Sequence, residues 1–239
     1  MKLSVIIPAY NEEAILRETV RTLSDALTDM QLRGIFDDFE MIFVSDGSSD
    51  TTPALLDEAQ KQYPLLRACI YTPNRGKGYA VRTGILASDG DLVLYTDCDL
   101  AYGTDVIEAA VRQLGDTGAD ILIGSRAIHP EGYAGYTPLR KLASVLYLKF
   151  LCIAAGFRLS DSQAGFKALR GEVGRRIFAQ CEIDRFAFDM EMLMRAQKAG
   201  YSVTELPVKI VNHRDSSIHL VRDSIRMLRD IAKIKKSLK

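Results

Sequence analysis

Two carboxylates stand one residue apart where an apolar run ends: Asp97 and Asp99 in YTDCDL, residues 95–100. If the strand extends that far, residues i and i+2 face one side, so the pair can share a cation. Oxygen-only donors suit Mg²⁺ or Mn²⁺, which bind through one or two carboxylates and complete their shell from substrate phosphates. The alternative is that one aspartate caps the helix near Gly103 and Thr104 and the other is a solvated turn residue.

Three further stretches carry polar signatures. PAYNEE (8–13) follows an apolar run; Pro8 fixes the exit, while Asn11, Glu12 and Glu13 are expected to open a helix. SDGSSDTT (45–52) offers Asp46 as an acceptor for a base or ribose, with Asp46-Gly47 also readable as a plain turn and Asp50 as a cap. NRGKGYAVRTG (74–84) predicts a helix from about Lys77; Gly76 and Gly78 permit close backbone approach, and the helix start and Lys77 favour a phosphate-bearing ligand. The spacing is not that of a P-loop, and a Gly-rich turn without a ligand is the alternative.

The elements that must position these groups alternate. Apolar runs at 3–8, 39–46, 67–72, 91–97 and 119–125 are separated by segments of helical spacing. Continuous apolar strands joined by helices predict a parallel sheet covered on both faces, one doubly wound α/β domain through about residue 125. Ligands of such sheets bind at the carboxyl ends of the strands. PAYNEE, SDGSSDTT and TDCDL would therefore share one rim.

The 239 residues suit one sizeable domain, and 31 Lys and Arg against 31 Asp and Glu give no bulk charge for a nucleic acid partner. Cys69, Cys98, Cys152 and Cys181 lack metal-ligand or disulfide-framework spacing, which predicts reduced thiols and a cytoplasmic protein. His129, His213 and His219 show no triad-like or ligand-like spacing. The apolar stretch before Pro8 is too short for a signal peptide or a span.

Two segments point to a membrane surface. TPLRKLASVLYLKFLCIAAG predicts a helix capped by Thr137 with Pro138 at its first position, apolar from Leu142 to Ala155 except Ser144 and Lys149. That length cannot cross a bilayer of about 30 Å but can lie in its interface. Residues 216–239 carry seven basic residues against two acidic, a net of +5, with a basic stripe including Arg222, Arg226, Arg229, Lys233 and Lys236 beside Ile218, Val221, Ile225 and Leu228. The alternative is that both helices pack on the core or on another subunit.

Taken in order, VIIPAYNEE, VSDGSSD, NRGKGYAVRTG, TDCDL, GSR, DSQAGFKALR and FAFDMEML resemble family 2 glycosyltransferases, most of all the dolichyl-phosphate β-glucosyltransferase branch, over Leu3 to about Asp230. The resemblance implies a GT-A type α/β fold with a Rossmann-like, mostly parallel sheet, helices on both faces and C-terminal amphipathic helices. The domain would span 1–215, followed by a basic amphipathic helix at 216–239. It also implies inverting transfer of a hexose, glucose from UDP-glucose foremost, onto a polyprenyl phosphate; the two amphipathic segments predict a peripheral protein at the cytosolic membrane face. By position, Pro8, Ala9, Tyr10, Glu12, Asp46, Lys77, Asp97, Cys98 and Asp99 would hold the nucleotide sugar, with Asp97 and Asp99 on Mg²⁺ or Mn²⁺. Arg126, Arg140, Ser144 and Arg214 would grip the acceptor phosphate. Asp161, and Asp189 beside Glu191, would orient the acceptor, steady the sugar or act as base, or else form ion pairs with Arg185 or Arg195.

A phosphate monoester, with a second pKa near about 6, is largely dianionic at neutral pH, so such an acceptor needs cations more than a base. Ala101 stands where mannosyl-transferring relatives often carry Gln, and DSSIH after Arg214 departs from a common Gly-x-Ser-Lys pattern. A GDP-mannose-dependent mannosyltransferase, a transferase for a glycan acceptor, a noncatalytic nucleotide-sugar binding module and a homo-oligomer stay open. A sugar nucleotidyltransferase would carry a different Gly-rich loop after the first strand.

Overall fold

The computed structural model describes residues 1–134, 136, 137, 145, 148, 150, 152, 153, 155, 156, 159–212 and 220–238, with side chains excepted at 220–226. Arg140, Ser144, Arg214, His213 and His219 lie outside the described residues, as does most of the expected helix from Thr137.

The chain runs β1 (Lys2–Ala9), α1 (Leu16–Leu32), β2 (Asp38–Asp46), α2 (Thr52–Gln62), β3 (Leu66–Tyr71), α3 (Lys77–Ala87), β4 (Leu92–Tyr95), α4 (Asp105–Thr117) and β5 (Ile121–Ser125). It continues with β6 (Lys167–Arg170), α5 (Gly171–Phe178), α6 (Phe188–Lys198), β7 (Val203–Pro207) and α7 (Leu220–Ser237). One sheet of seven strands has the order β3-β2-β1-β4-β6-β5-β7. Every pairing is parallel except those of β6, which runs antiparallel to both β4 and β5.

Strand alternation divides the core. Val5 and Ile7, Met41 and Phe43, and Leu92 and Leu94 face one side, where Leu16, Val20, Leu23 and Leu27 of α1 and Ile107 and Leu114 of α4 cover them. Ile6, Ile42, Val44, Val93 and Tyr95 face the other side, under Val81 and Ile85 of α3, Phe178 of α5 and Phe188 and Leu193 of α6. The mostly parallel α/β architecture is the one expected.

Three expectations change. Strand β4 ends at Tyr95, so Asp97 and Asp99 sit in a turn, closed by the Leu100 amide on the Asp97 carbonyl at 3.0 Å, and not on a strand. Helix α1 opens at Leu16, and Asn11 adopts a left-handed φ of 54°. Asn11 and Glu13 bind the second loop instead: Asn11 Oδ1 accepts from the Ser49 amide at 2.8 Å, and Glu13 Oε2 from the Thr51 hydroxyl at 2.7 Å. Helix α7 sends Met227, Ile231 and Ile234 into the same core as α3 and α6.

Candidate active site

The rim over β1, β2 and β4 carries the predicted groups, and each is placed by a different element. Lys77, the first residue of α3, pairs its ammonium with Oδ1 of Asp97. Burial by itself would lower the Lys77 pKa, but Asp97, and behind it Asp189 and Asp99, outweigh that and hold it above the ordinary value. The Asp97 side chain keeps 35% of its surface open, so the pair borders solvent. Asp99 is half-buried, and its Oδ1 accepts from the Ala101 amide at 3.1 Å.

The turn holding both aspartates is tied down from three directions. Thr19 of α1 donates to the Cys98 carbonyl at 2.7 Å. Asn212, beyond β7, donates its side-chain amide to the Asp99 and Leu100 carbonyls at 3.0 and 3.1 Å. Gly165, before β6, lies so close that a Cβ there would stand 2.2 Å from Asp97 Oδ2. Thr19, Asn212 and Gly165 were not among the residues expected from sequence. Only Gly165 left a trace, as the glycine of DSQAGFK.

Among the nucleotide candidates, Tyr10 is half-exposed on the rim, whereas Ala9 and the Cys98 side chain are buried. Pro8 and Glu12 are half-buried. Asp46 is 3% exposed, and its four acceptor positions are filled from within the chain. Oδ1 takes the Tyr71 hydroxyl and the Arg75 amide at 2.9 and 2.8 Å; Oδ2 takes the Asn74 side chain and the Gly76 amide at 2.9 and 2.8 Å. Asp46 therefore shapes the loop that delivers Lys77. The approach that Gly76 and Gly78 permit is likewise used internally: a Cβ on either would lie 2.6 Å from the Asp184 or Ile183 carbonyl.

The acidic candidates separate into three settings. Asp161 is fully buried and grips Arg126 through Nε at 2.7 Å and a second nitrogen at 3.1 Å. Burial would raise the Asp161 carboxyl, but Arg126 holds it below its ordinary value. A carboxylate so paired is a poor base, and Arg126 commits two donors before any acceptor phosphate arrives. Asp189 accepts from Tyr95 at 2.5 Å and lies 3.1 Å from the Lys167 ammonium. Glu191 pairs with Arg195 at 2.8 Å and accepts the Glu182 and Ile183 amides, the structural ion pair foreseen as an alternative.

A cleft of about 450 Å³ opens against α7, lined by Arg75, Glu182, Ile183, Asp184, Arg185, Asp230 and Lys233. Among the described residues, none of the expected donor or acceptor residues borders it. Its cations and carboxylates are already matched in part, with Arg75 3.6 Å from Asp184 and stacked on Tyr79.

Residues 4–178 match the family profile of Glycosyl transferase family 2. The chain belongs to glycosyltransferase family 2. It is 33% identical over 236 residues to a dolichyl-phosphate beta-glucosyltransferase of Trichomonas vaginalis, covering 97% of this chain and 72% of that one. The Dictyostelium discoideum dolichyl-phosphate beta-glucosyltransferase is 31% identical, covering 98% and 73%, and the human one 32%, covering 87% and 66%. Among solved structures, glucosyl-3-phosphoglycerate synthase of Mycobacterium tuberculosis, in complex with Mn²⁺, UDP and glucosyl-3-phosphoglycerate, superposes with a TM-score of 0.69 at 18% identity, over 99% of this chain and 79% of that one.

The fold is thus the GT-A type implied by the motifs, and this family 2 glycosyltransferase is an enzyme of sugar transfer. Its Asp97 and Asp99 give a hard, oxygen-only donor set on a rim open to solvent, which fits Mg²⁺ or Mn²⁺. Among the described residues no group of three or more His, Cys, Asp or Glu could hold a metal.

Proposed function

We propose that this family 2 glycosyltransferase moves glucose from UDP-glucose onto a polyprenyl phosphate with inversion at the anomeric carbon. The observation that carries the reading is the Asp97–Asp99 turn facing Lys77 on the strand-end rim, in a chain whose relatives are dolichyl-phosphate beta-glucosyltransferases. Asp97 and Asp99 would hold Mg²⁺ or Mn²⁺, which neutralises the leaving diphosphate when bound. Lys77 adds a fixed positive charge beside them and Tyr10 an exposed ring at the rim.

An oxygen of the acceptor phosphate attacks the anomeric carbon while the bond to the diphosphate oxygen breaks, its electron pair leaving with the nucleoside diphosphate. The attacking phosphate is already ionised near neutral pH, so no side chain has to remove a proton. Arg140 and Arg214 are assigned to the acceptor by resemblance and Ser144 by its spacing one helical turn beyond Arg140, and Arg126 joins them only through whatever donors Asp161 leaves it. Asp189 stays behind the donor face as an orienting carboxylate.

Membrane attachment is read as peripheral and electrostatic. No helix of the described residues is long and apolar enough to cross a membrane. Each buried apolar side chain is worth about 1.5–3 kcal/mol, and Met227, Ile231 and Ile234 already have that on the core, so insertion of α7 gains nothing from them. Exposed for the leaflet are Leu228, Arg229, Lys233, Lys235 and Lys236 on α7, with Phe150 and Ile153 elsewhere in the chain.

The test is to offer UDP-glucose, UDP-N-acetylglucosamine and GDP-mannose in turn with Mn²⁺ and a short polyprenyl phosphate. Release of UDP from UDP-glucose, dependent on the lipid phosphate, is expected to be fastest. Faster turnover of GDP-mannose would move the assignment to mannosyl transfer, and turnover indifferent to the lipid would remove the acceptor.

A further inference from the structure

A lysine is seldom taken fully out of water, because the desolvation of its charge must be offset by close partners. Lys167, the first residue of β6, is 0% exposed. Its backbone pairs with Tyr95, the last residue of β4, and its side chain enters the core face that carries Tyr95 and Phe188. Burial pushes its pKa down, and Asp189 works against that shift.

Two contacts define what the ammonium does there. It lies 3.1 Å from Asp189 Oδ1 on α6, and it donates to the Ala164 carbonyl at 2.6 Å. That carbonyl belongs to the peptide plane joining Ala164 to Gly165. The other edge of the same plane is the Gly165 amide, which donates to the buried Tyr102 hydroxyl at 3.0 Å. The plane is therefore gripped at both edges, by Lys167 from one side and Tyr102 from the other. Gly165 is the residue against which the Asp97 carboxylate rests, with Oδ2 2.2 Å from where a Cβ would stand.

We propose that Lys167 is a positioning residue for the donor site: through the clamped Ala164–Gly165 peptide it fixes the Asp97 carboxylate and ties it to Asp189. The proposal rests on the reading of Asp97 and Asp99 as cation ligands. Lys167 touches no substrate; its effect passes through one peptide plane, and Tyr102 acts on that plane independently. Outer-shell partners that orient a ligating carboxylate typically change metal affinity about 10–100-fold when removed.

The experiment measures Mn²⁺ binding by electron paramagnetic resonance at saturating UDP, alongside the melting temperature, for wild type, Lys167→Met, Tyr102→Phe and Asp99→Asn. Tyr102→Phe removes only a hydroxyl, so it decides the question should Lys167→Met fail to fold. Expected are a wild type that binds Mn²⁺, an Asp99→Asn that loses it, and a weakening of about tenfold or more in the clamp variants. A purely structural part for Lys167 and Tyr102 would lower the melting temperature and leave Mn²⁺ affinity where it was. Wild-type affinity in a folded Lys167→Met or in Tyr102→Phe overturns the clamp and leaves the metal reading standing. A wild type that binds no Mn²⁺ with UDP, or an Asp99→Asn that binds as wild type does, overturns both.

Discussion

Lys77 closes its ammonium on Oδ1 of Asp97, joining the first turn of α3 to the turn beyond β4. Asp97 lifts the Lys77 pKa against the pull of burial. Lys77→Met is therefore expected to leave Asp97 without its cation. A lost charge-assisted contact is worth about 1.5–3 kcal/mol, or a fall of roughly 10–150-fold in kcat/KM for the nucleotide sugar. Steady-state kinetics at saturating Mn²⁺ check this, and a change within about twofold would detach Lys77 from the donor site. Because the pKa is raised, no loss of activity from Lys77 deprotonation is expected between pH 6 and 9.

Arg126 and Asp161, 35 residues apart in sequence, form a buried pair whose stability depends on pH. Arg126 holds the Asp161 carboxyl below its ordinary value although burial alone would raise it, so the unfolded chain takes up this proton more readily than the folded one. The stabilisation is complete above the unfolded carboxylate pKa of about 3.9 and drains as pH falls toward the lower folded value. Asp161→Asn leaves a buried guanidinium without its counter-charge, an expected loss of about 3–5 kcal/mol at pH 7. Urea unfolding followed from pH 6 to pH 2 should show a shallower acid decline in the variant. An equal decline in both proteins would mean that the pair is not what acid disrupts.

The strands of the first half are legible because buried parallel strands read as near-continuous apolar runs, as in LSVIIP and FEMIFVSD. Strand β6 is not: four residues, KALR, open with a lysine that reads as a surface residue until Asp189 and Ala164 are seen around it. The same limit applies to the site. TDCDL announces its carboxylates through their types and spacing, but whether they extend β4 or turn away depends on Thr19, Asn212 and Gly165, each remote in sequence. Asp46 shows the reverse case: its place at the end of β2 suggests a ligand acceptor, and only the fold reveals that Tyr71, Asn74, Arg75 and Gly76 also converge on it.

That convergence predicts an unequal response to two small substitutions. Asp46→Asn replaces one acceptor oxygen by an NH₂ group, which then faces another donor at either position it can take. A buried donor left unsatisfied costs about 1–3 kcal/mol, and the loop carrying Lys77 loses a tether. Tyr71→Phe removes a single donor and should cost less than Asp46→Asn. Denaturant midpoints rank the two, and UDP binding by calorimetry should weaken for Asp46→Asn. Equal midpoints for Asp46→Asn and wild type would show that the loop holds its shape without the carboxylate.

The last prediction concerns how the C-terminal helix meets a membrane. Met227, Ile231 and Ile234 face the core, while Lys233, Lys235 and Lys236 are exposed, and each exposed basic residue near an anionic leaflet contributes about 1 kcal/mol. Reversing the three lysines to Glu should cost about 3 kcal/mol or more of vesicle affinity, over a hundredfold, with little change in melting temperature because none is buried. Wild-type protein is expected to sediment with phosphatidylserine-containing vesicles at low salt and to leave them at high salt, since screening shortens the reach of exposed charge to about 8 Å at physiological ionic strength and less above it. Retention at high salt would point instead to apolar insertion, for which Phe150 and Ile153, 51% and 76% exposed, are the residues to replace. Equal recovery in the supernatant with and without anionic lipid at low salt would remove α7 as the attachment.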